Sequence, residues 1–230
     1  MKKVGLLGGT GPQATAFIYQ HLIEVSQTAY GARNNDEYPY LIFASVPIPD
    51  FISSKNNLGV AEKMLKEAVA DLERAGCDAL CLGSNTVHIL LDKLRAETKI
   101  PFISMVELVA ERCAEFGYKR VALLGTPILL QSNLYDKALE ARGIVLIKPN
   151  EAQIEVCDEM IRLVIAGEPL ERVKPAYVKV IASMLDQKAD AVILGCTELP
   201  LILDYEVLGD RILSSDKILA EGIAKFCYGH

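Results

Sequence analysis

The chain lacks a surplus of positive charge: 24 Lys and Arg stand against 30 Asp and Glu, for a net charge of −6. Nucleic acids and anionic membranes both select basic surfaces, so neither is an expected partner. No apolar run approaches the roughly 18 residues that a membrane helix requires. Lys2 and Lys3 precede only the short stretch Val4–Gly9, which reads as a first buried strand rather than a secretory leader. There is no Cys-x-x-Cys pair, and the histidines (His21, His88 and His230) do not stand beside the cysteines at ligand spacing. That argues against a structural zinc and implies no metal. The six scattered thiols, at 77, 81, 113, 157, 196 and 227, suit a reducing, cytoplasmic setting, most of them as buried core residues. Low-complexity tracts are also missing.

What the chain has is apolar content, 51% of 230 residues, enough for a substantial core without disulfide or metal support. Short apolar runs alternate with longer amphipathic ones. Val4–Leu7, Tyr40–Val46, Ala79–Leu82, Val121–Leu124, Ile144–Ile147 and Ala191–Leu194 read as strands, apolar throughout as parallel strands buried on both faces require. Helices are expected over Ala14–Tyr30, Val60–Ala75, Val87–Glu97, Glu107–Phe116, Asn133–Ala141, Ile154–Ala166, Val173–Gln187 and Ser215–Phe226. The alternation predicts an α/β fold.

The chain also repeats itself. Asp78-Ala79-Leu80-Cys81-Leu82-Gly83-Ser84 recurs as Asp190-Ala191-Val192-Ile193-Leu194-Gly195-Cys196, 112 residues on (190 minus 78). Val4-Gly5-Leu6-Leu7-Gly8-Gly9-Thr10 resembles Val121-Ala122-Leu123-Leu124-Gly125-Thr126. Two motifs in the same order imply two similar Rossmann-like parallel-sheet domains related by pseudo-two-fold symmetry. The expected division is 1–99 plus 208–230 and 100–207. The repeated turns fall at strand carboxyl ends, where open parallel sheets bind ligands, so the active site is expected in the cleft between the halves.

Several turns could carry chemistry. Gly9-Thr10-Gly11-Pro12-Gln13-Ala14 fits G-x-G-x-x-A, but the second strand ends Ala44-Ser45-Val46-Pro47 without the acid that holds a ribose. A tight strand-to-helix turn offering N–H groups and the Thr10 hydroxyl to a small anion is the favoured reading, and no cofactor is expected. Asn85, Thr86, Thr126 and Thr197 follow strands; they can be helix caps, or they can line a carboxylate pocket. Cys196 stands where a thiol gains thiolate character if a helix opens there, with Glu198 near enough to influence it. Ser84 is its counterpart, a poor base that needs help. His88, one helical turn on, could point back toward it. The Pro-containing loop 47–57 is a candidate flap.

The segments Leu82-Gly83-Ser84-Asn85-Thr86-Val87-His88 and Ile193-Leu194-Gly195-Cys196-Thr197-Glu198-Leu199, with the Gly-rich turn of residues 5 to 12, resemble the signatures of the aspartate/glutamate racemase family. The resemblance spans essentially the whole chain. It implies two similar α/β domains, often in a homodimer, and cofactor-independent racemisation by two cysteines on opposite faces of the substrate Cα. Carried over, Cys196 matches the second cysteine and Ser84 stands at the first. Thr10, Asn85, Thr86, Thr126 and Thr197 match the pocket for the carboxylate of an amino-acid or dicarboxylate substrate. Two readings of Ser84 stay open: an engineered Cys→Ser substitution that traps ligand, or a natural residue, since some members resembling this chain carry a hydroxyl there, which favours one-directional or one-enantiomer chemistry. Many aspartate racemases also have an Arg after Ile-Pro-Asp. Here Ile48-Pro49-Asp50 is followed by Phe51, and Lys55 is the nearest basic replacement. Two alternatives remain open: a single-cysteine decarboxylase of the arylmalonate type, and a decayed module that only binds small carboxylates.

Overall fold

The computed structural model describes residues 1–49, 57–196, 199 and 211–229. The chain divides into two compact units, Met1–Leu108 with Asp216–His230, and Val109–Ser215. The boundaries of this division fall inside a helix and at the start of the last one.

The first unit is built on β1 (Lys3–Gly8), β2 (Tyr40–Ser45), β3 (Ala79–Leu82) and β4 (Phe102–Ile103), in the order β2-β1-β3-β4 and parallel throughout. Side chains alternate across a strand, and the two faces separate accordingly. Leu7, Leu80 and Leu82 join Leu65, Val69 and Leu72 of α2 (Leu58–Arg74) and Leu91 and Leu94 of α3 (Leu91–Arg95). Leu6, Ala79 and Cys81 face the other way, onto Ile18 and Leu22 of α1 (Pro12–Ala29), Met105 at the start of α4 (Met105–Glu115), and Leu219 and Ile223 of the last helix, α9 (Ser215–Tyr228). Truncating one such leucine to Ala would cost about 2–5 kcal/mol.

The second unit repeats the plan. Strands β5 (Arg120–Leu124), β6 (Val145–Ile147), β7 (Ala191–Leu194) and β8 (Ile212–Ser214) run in the order β6-β5-β7-β8, again all parallel. Between them come α5 (Pro127–Gln131), α6 (Leu134–Glu140), α7 (Glu151–Ala166) and α8 (Lys174–Asp186). Ala122, Leu124, Val192 and Leu194 pack on Met160, Ile161, Tyr177 and Ile181 of α7 and α8.

The sequence repeat and the structural repeat coincide residue for residue. Val4 pairs with Ala79 and Leu7 with Leu82; Val121 pairs with Ala191 and Leu124 with Leu194. The repeated aspartate has a role in this register. The Asp78 N–H donates to the Lys3 carbonyl at 2.7 Å, while its Oδ2 accepts the Lys3 N–H at 2.7 Å. In the second unit the Asp190 N–H donates to the Arg120 carbonyl at 2.7 Å, and its Oδ2 accepts the N–H groups of Lys119 and Arg120 at 2.6 and 2.9 Å. Each aspartate thus closes the amino end of a central strand pair and satisfies donors that the ladder leaves over. Those N–H groups, Arg120's foremost, hold the Asp190 carboxyl below the usual carboxylate range.

Four elements differ from the sequence reading. Strands β4 and β8 have two and three residues, too few to show a period. Residues 127–131 form an extra short helix, opened by Pro127 at its first turn. The helix expected over Val87–Glu97 opens instead as a 3-10 turn, Thr86–Leu90, before α3. In an α-helix the His88 backbone N–H would bond to the carbonyl of Ser84, four residues back. Here that carbonyl accepts from the His88 ring Nδ1 at 2.8 Å, and the His88 N–H donates to the Asn85 carbonyl at 3.1 Å.

Candidate functional site

The two candidate positions, Ser84 and Cys196, follow the same turn in each unit. The Gly83 N–H donates to the Leu7 carbonyl at 2.9 Å, extending the β1–β3 ladder by one bond, and the Gly195 N–H donates to Leu124 at 2.7 Å beyond β5–β7. Ser84 and Cys196 come next, so the backbone delivers both from the carboxyl end of a central strand. Gly195 is close-packed: a Cβ there would lie 2.7 Å from a Leu123 methyl and 3.1 Å from the Leu124 carbonyl oxygen. Ser84 is half-buried. Cys196 is buried and extends the apolar cluster of Leu194 and Leu199, which withholds water from its sulfur. The Leu199 N–H donates to the Cys196 carbonyl at 3.1 Å.

The remaining cysteines behave as core residues. Burial pushes the thiols of Cys113 and Cys157 up to about 12 and that of Cys227 to about 11, and moves Cys77 and Cys81 upward as well. The Cys81 Sγ donates to the Gly5 carbonyl at 3.6 Å.

Around Ser84 the structure gathers three of the residues singled out by the sequence. Asn85, Thr86 and His88 are all buried in the 3-10 turn that starts there. Both ring nitrogens of His88 are committed. Nδ1 lies 2.8 Å from the Ser84 carbonyl, which can only accept, so Nδ1 carries the proton. Nε2 then accepts the Met105 N–H at 3.2 Å, at the first residue of α4. Burial drives the imidazole down to about 4, outweighing the opposing effect of the Ser84 carbonyl; the charge of Arg95 also lowers it. The ring is therefore neutral near pH 7, and the proton relay through His88 that the sequence suggested has no uncommitted nitrogen to run through.

Thr10 lies half-buried in the turn before α1, between Gly9 and Gly11, both at positive φ. A Cβ on Gly9 would meet the Val46 N at 2.6 Å, so the turn is closed tightly against the end of β2. The Gly9 N–H donates to Thr15 Oγ1 at 3.1 Å. In the second unit Thr126 is fully buried, and its Oγ1 accepts the Leu129 N–H at 3.2 Å as the N-cap of α5. Lys55, Thr197, Glu198 and most of the flap 47–57 lie outside the described residues.

Sequence reasoning passed over two residues at the start of α9. Ser215 Oγ donates to the Leu194 carbonyl at 2.8 Å, and Asp216 is fully buried in the first helical turn, where a carboxylate suits the helix dipole. The run Ser214-Ser215-Asp216 before an apolar helix is the signal that could have found them. Among the described residues no group of three or more His, Cys, Asp or Glu is arranged to hold a metal ion, and no helix is long and apolar enough to cross a membrane.

Comparison with known proteins agrees with this geometry. The chain is 26% identical over 220 residues to the broad-specificity amino-acid racemase of Bacillus subtilis (strain 168), covering 95% of each chain. Among solved structures it is similar to an aspartate racemase homologue from Pyrococcus horikoshii OT3, with a TM-score of 0.82 and 29% identity over 99% of this chain and all (100%) of the other. It is also similar to the aspartate racemase of Picrophilus torridus, with a TM-score of 0.81 and 25% identity over 99% and 95%. The family model for Asp/Glu/Hydantoin racemase matches residues 7–221. Duplicated parallel sheets and a family match over nearly the whole chain lead to one statement: the chain belongs to the Asp/Glu/hydantoin racemase family of isomerases.

Proposed function

We propose that the protein racemises an acidic amino acid, aspartate or glutamate, by 1,1-proton transfer without a cofactor, using Cys196 and Ser84 as an unequal pair. The observation that carries this reading is the register. Gly83-Ser84 and Gly195-Cys196 occupy the same place after β3 and β7, fixed by matching bonds to Leu7 and Leu124. A thiol and a hydroxyl so placed are counterparts, and the relatives named above are racemases.

The Cα–H of an amino acid is a very weak acid. Its removal requires a desolvated base and fixed donors around the carboxylate, onto which the electron pair spreads. The Cys196 thiolate takes the proton and becomes a thiol. The carbanion's electron pair delocalises into the carboxylate, and a proton from the Ser84 hydroxyl enters the opposite face; water then reprotonates Ser84, and the hydroxide so formed takes the Cys196 proton, which restores the thiolate. In reverse, Ser84 must act as the base, the slower role for a hydroxyl. The asymmetry affects turnover in each direction, while the equilibrium between enantiomers stays at unity. The N–H groups and hydroxyls of Thr10, Asn85, Thr86, Thr126 and Thr197 supply the carboxylate donors, and Lys55 the charge for the side-chain carboxylate.

Chiral chromatography of each enantiomer of aspartate and glutamate after incubation tests the reading. It predicts the antipode of at least one, and none with Cys196→Ala. Carbon dioxide release from a substituted malonate, without inversion of any amino acid, would replace it with the decarboxylase reading.

A further inference from the structure

The imidazole of His88 does something that a satisfied core histidine need not do. It grips the backbone of the reactive residue itself. Nδ1–H donates to the Ser84 carbonyl at 2.8 Å, and Nε2 accepts the Met105 N–H at 3.2 Å. One ring thus spans from the turn after β3 to the N-terminus of α4. That terminus is anchored in its own right: Ser104 Oγ accepts the Glu107 N–H at 3.3 Å, and the Ser104 carbonyl accepts the Leu108 N–H at 3.0 Å. The ring is almost wholly enclosed, with 2% of its residue surface exposed, so neither bond competes with water.

The second unit ties the same place by other means. Ile103 and Leu213 occupy equivalent positions, pairing with Cys81 and Ile193 respectively, so Met105 at the start of α4 corresponds to Ser215 at the start of α9. Ser215 Oγ donates to the Leu194 carbonyl, two residues before Cys196. In both units the first residue of the helix after the fourth strand is fastened to the segment that presents the reactive side chain. The acceptors differ: the Ser84 carbonyl, reached through His88, in the first unit, and the Leu194 carbonyl, the counterpart of Leu82, in the second.

We infer that His88 is a positioning residue for Ser84: it fixes the carbonyl of residue 84 against α4 and thereby sets the direction of the Ser84 side chain and of the Asn85 N–H. This rests on the racemase reading above. The peptide between residues 84 and 85 is trans, so its N–H points opposite to its carbonyl. Holding the carbonyl toward α4 therefore orients both ends of the peptide plane. With both nitrogens committed to backbone groups, the ring carries no proton to or from substrate. Its contribution is geometric, at a position where a misplacement of about 1 Å can cost up to a hundredfold in rate.

The test compares the wild type with His88→Phe, which keeps a ring but neither bond, and His88→Asn, whose side-chain amide restores a donor near the position of Nδ1. His88→Phe is expected to lower kcat for inversion by about tenfold to a hundredfold with KM changed by less than about threefold. Solvent deuterium exchange without inversion, which needs Cys196 alone, should persist on the enantiomer whose Cα–H faces Cys196. His88→Asn should recover most of the lost kcat. Unchanged inversion in His88→Phe, equal loss of exchange and inversion, or no rescue by Asn would each overturn the assignment. Should His88→Phe not fold, nitrogen-15 NMR of the wild-type ring decides. An Nδ1–H tautomer that persists from pH 7 down to about 5 is expected, and an Nε2–H tautomer or titration near 6.5 overturns it. A wild type that neither exchanges nor inverts any acidic amino acid refutes the racemase reading instead, a distinct outcome.

Discussion

Lowering the pH should unfasten the first unit at His88, by an amount the structure allows to be worked out. The ring is enclosed, and its burial places its folded value at about 4 against an ordinary 6.5. In the unfolded chain His88 takes up a proton as pH falls through about 6.5, whereas in the folded chain it resists until about 4. The unfolded state therefore binds more protons throughout that interval. Stability from the neutral ring is fully present above about 6.5 and is lost progressively as pH falls to about 4, where the loss levels off. The gap between those two values corresponds to about 3 kcal/mol at most. Urea unfolding of the wild type and of His88→Asn, which has no titrating ring, isolates this contribution, because His21 and the carboxylates act alike in both. The wild type should lose up to about 3 kcal/mol more than the variant between pH 7 and pH 4. Equal losses would refute the reasoning, because they would mean that the ring is accessible to protons in the folded chain.

Gly9 should not tolerate a side chain. Its φ is +87°, and a Cβ would meet the Val46 N at 2.6 Å and the Val46 O at 2.8 Å, so Gly9→Ala is expected to cost about 1–3 kcal/mol or more, read as a lower Tm by calorimetry. Asp190→Ala removes the acceptor for two strand N–H groups and should cost about 1–3 kcal/mol at neutral pH. The Asp190 carboxyl is held below its ordinary value, so this contribution is present above the unfolded value and is lost as pH falls through the folded one; the difference between the variants' urea midpoints should shrink at acid pH. Ser84→Cys should raise the inversion rate by about tenfold or more, because a thiol ionises near neutral pH and a hydroxyl does not. An unchanged rate would show that position 84 is not a proton-transfer site.

Much of this was legible in the sequence because the chain states its plan twice. The repeated Asp-Ala run and the Gly-turns locate β1, β3, β5 and β7, and their apolar continuity gives their burial. Strands β4 and β8 were not legible, because two or three residues carry no period; they exist because a central strand offers them a free edge. The 3-10 turn at Thr86–Leu90 was hidden for a different reason. Spacing placed His88 one helical turn from Ser84, but the second partner of its ring, the Met105 N–H, arrives from another element and leaves no trace in local spacing. Ser215 was similarly hidden, since its partner Leu194 lies 21 residues away. Ser84 and Cys196 were singled out by comparing the halves, an argument that needs no coordinates.

The most direct measurement follows the Cα proton. The wild-type protein is incubated in deuterium oxide with L- and D-aspartate and with L- and D-glutamate, while proton NMR follows loss of the Cα–H signal and chiral separation follows inversion. Racemisation by a thiol and a hydroxyl predicts inversion of at least one of the two amino acids, with deuterium at Cα of the product, and its disappearance with Cys196→Ala. Retention of every Cα–H together with full optical purity in all four incubations would contradict it.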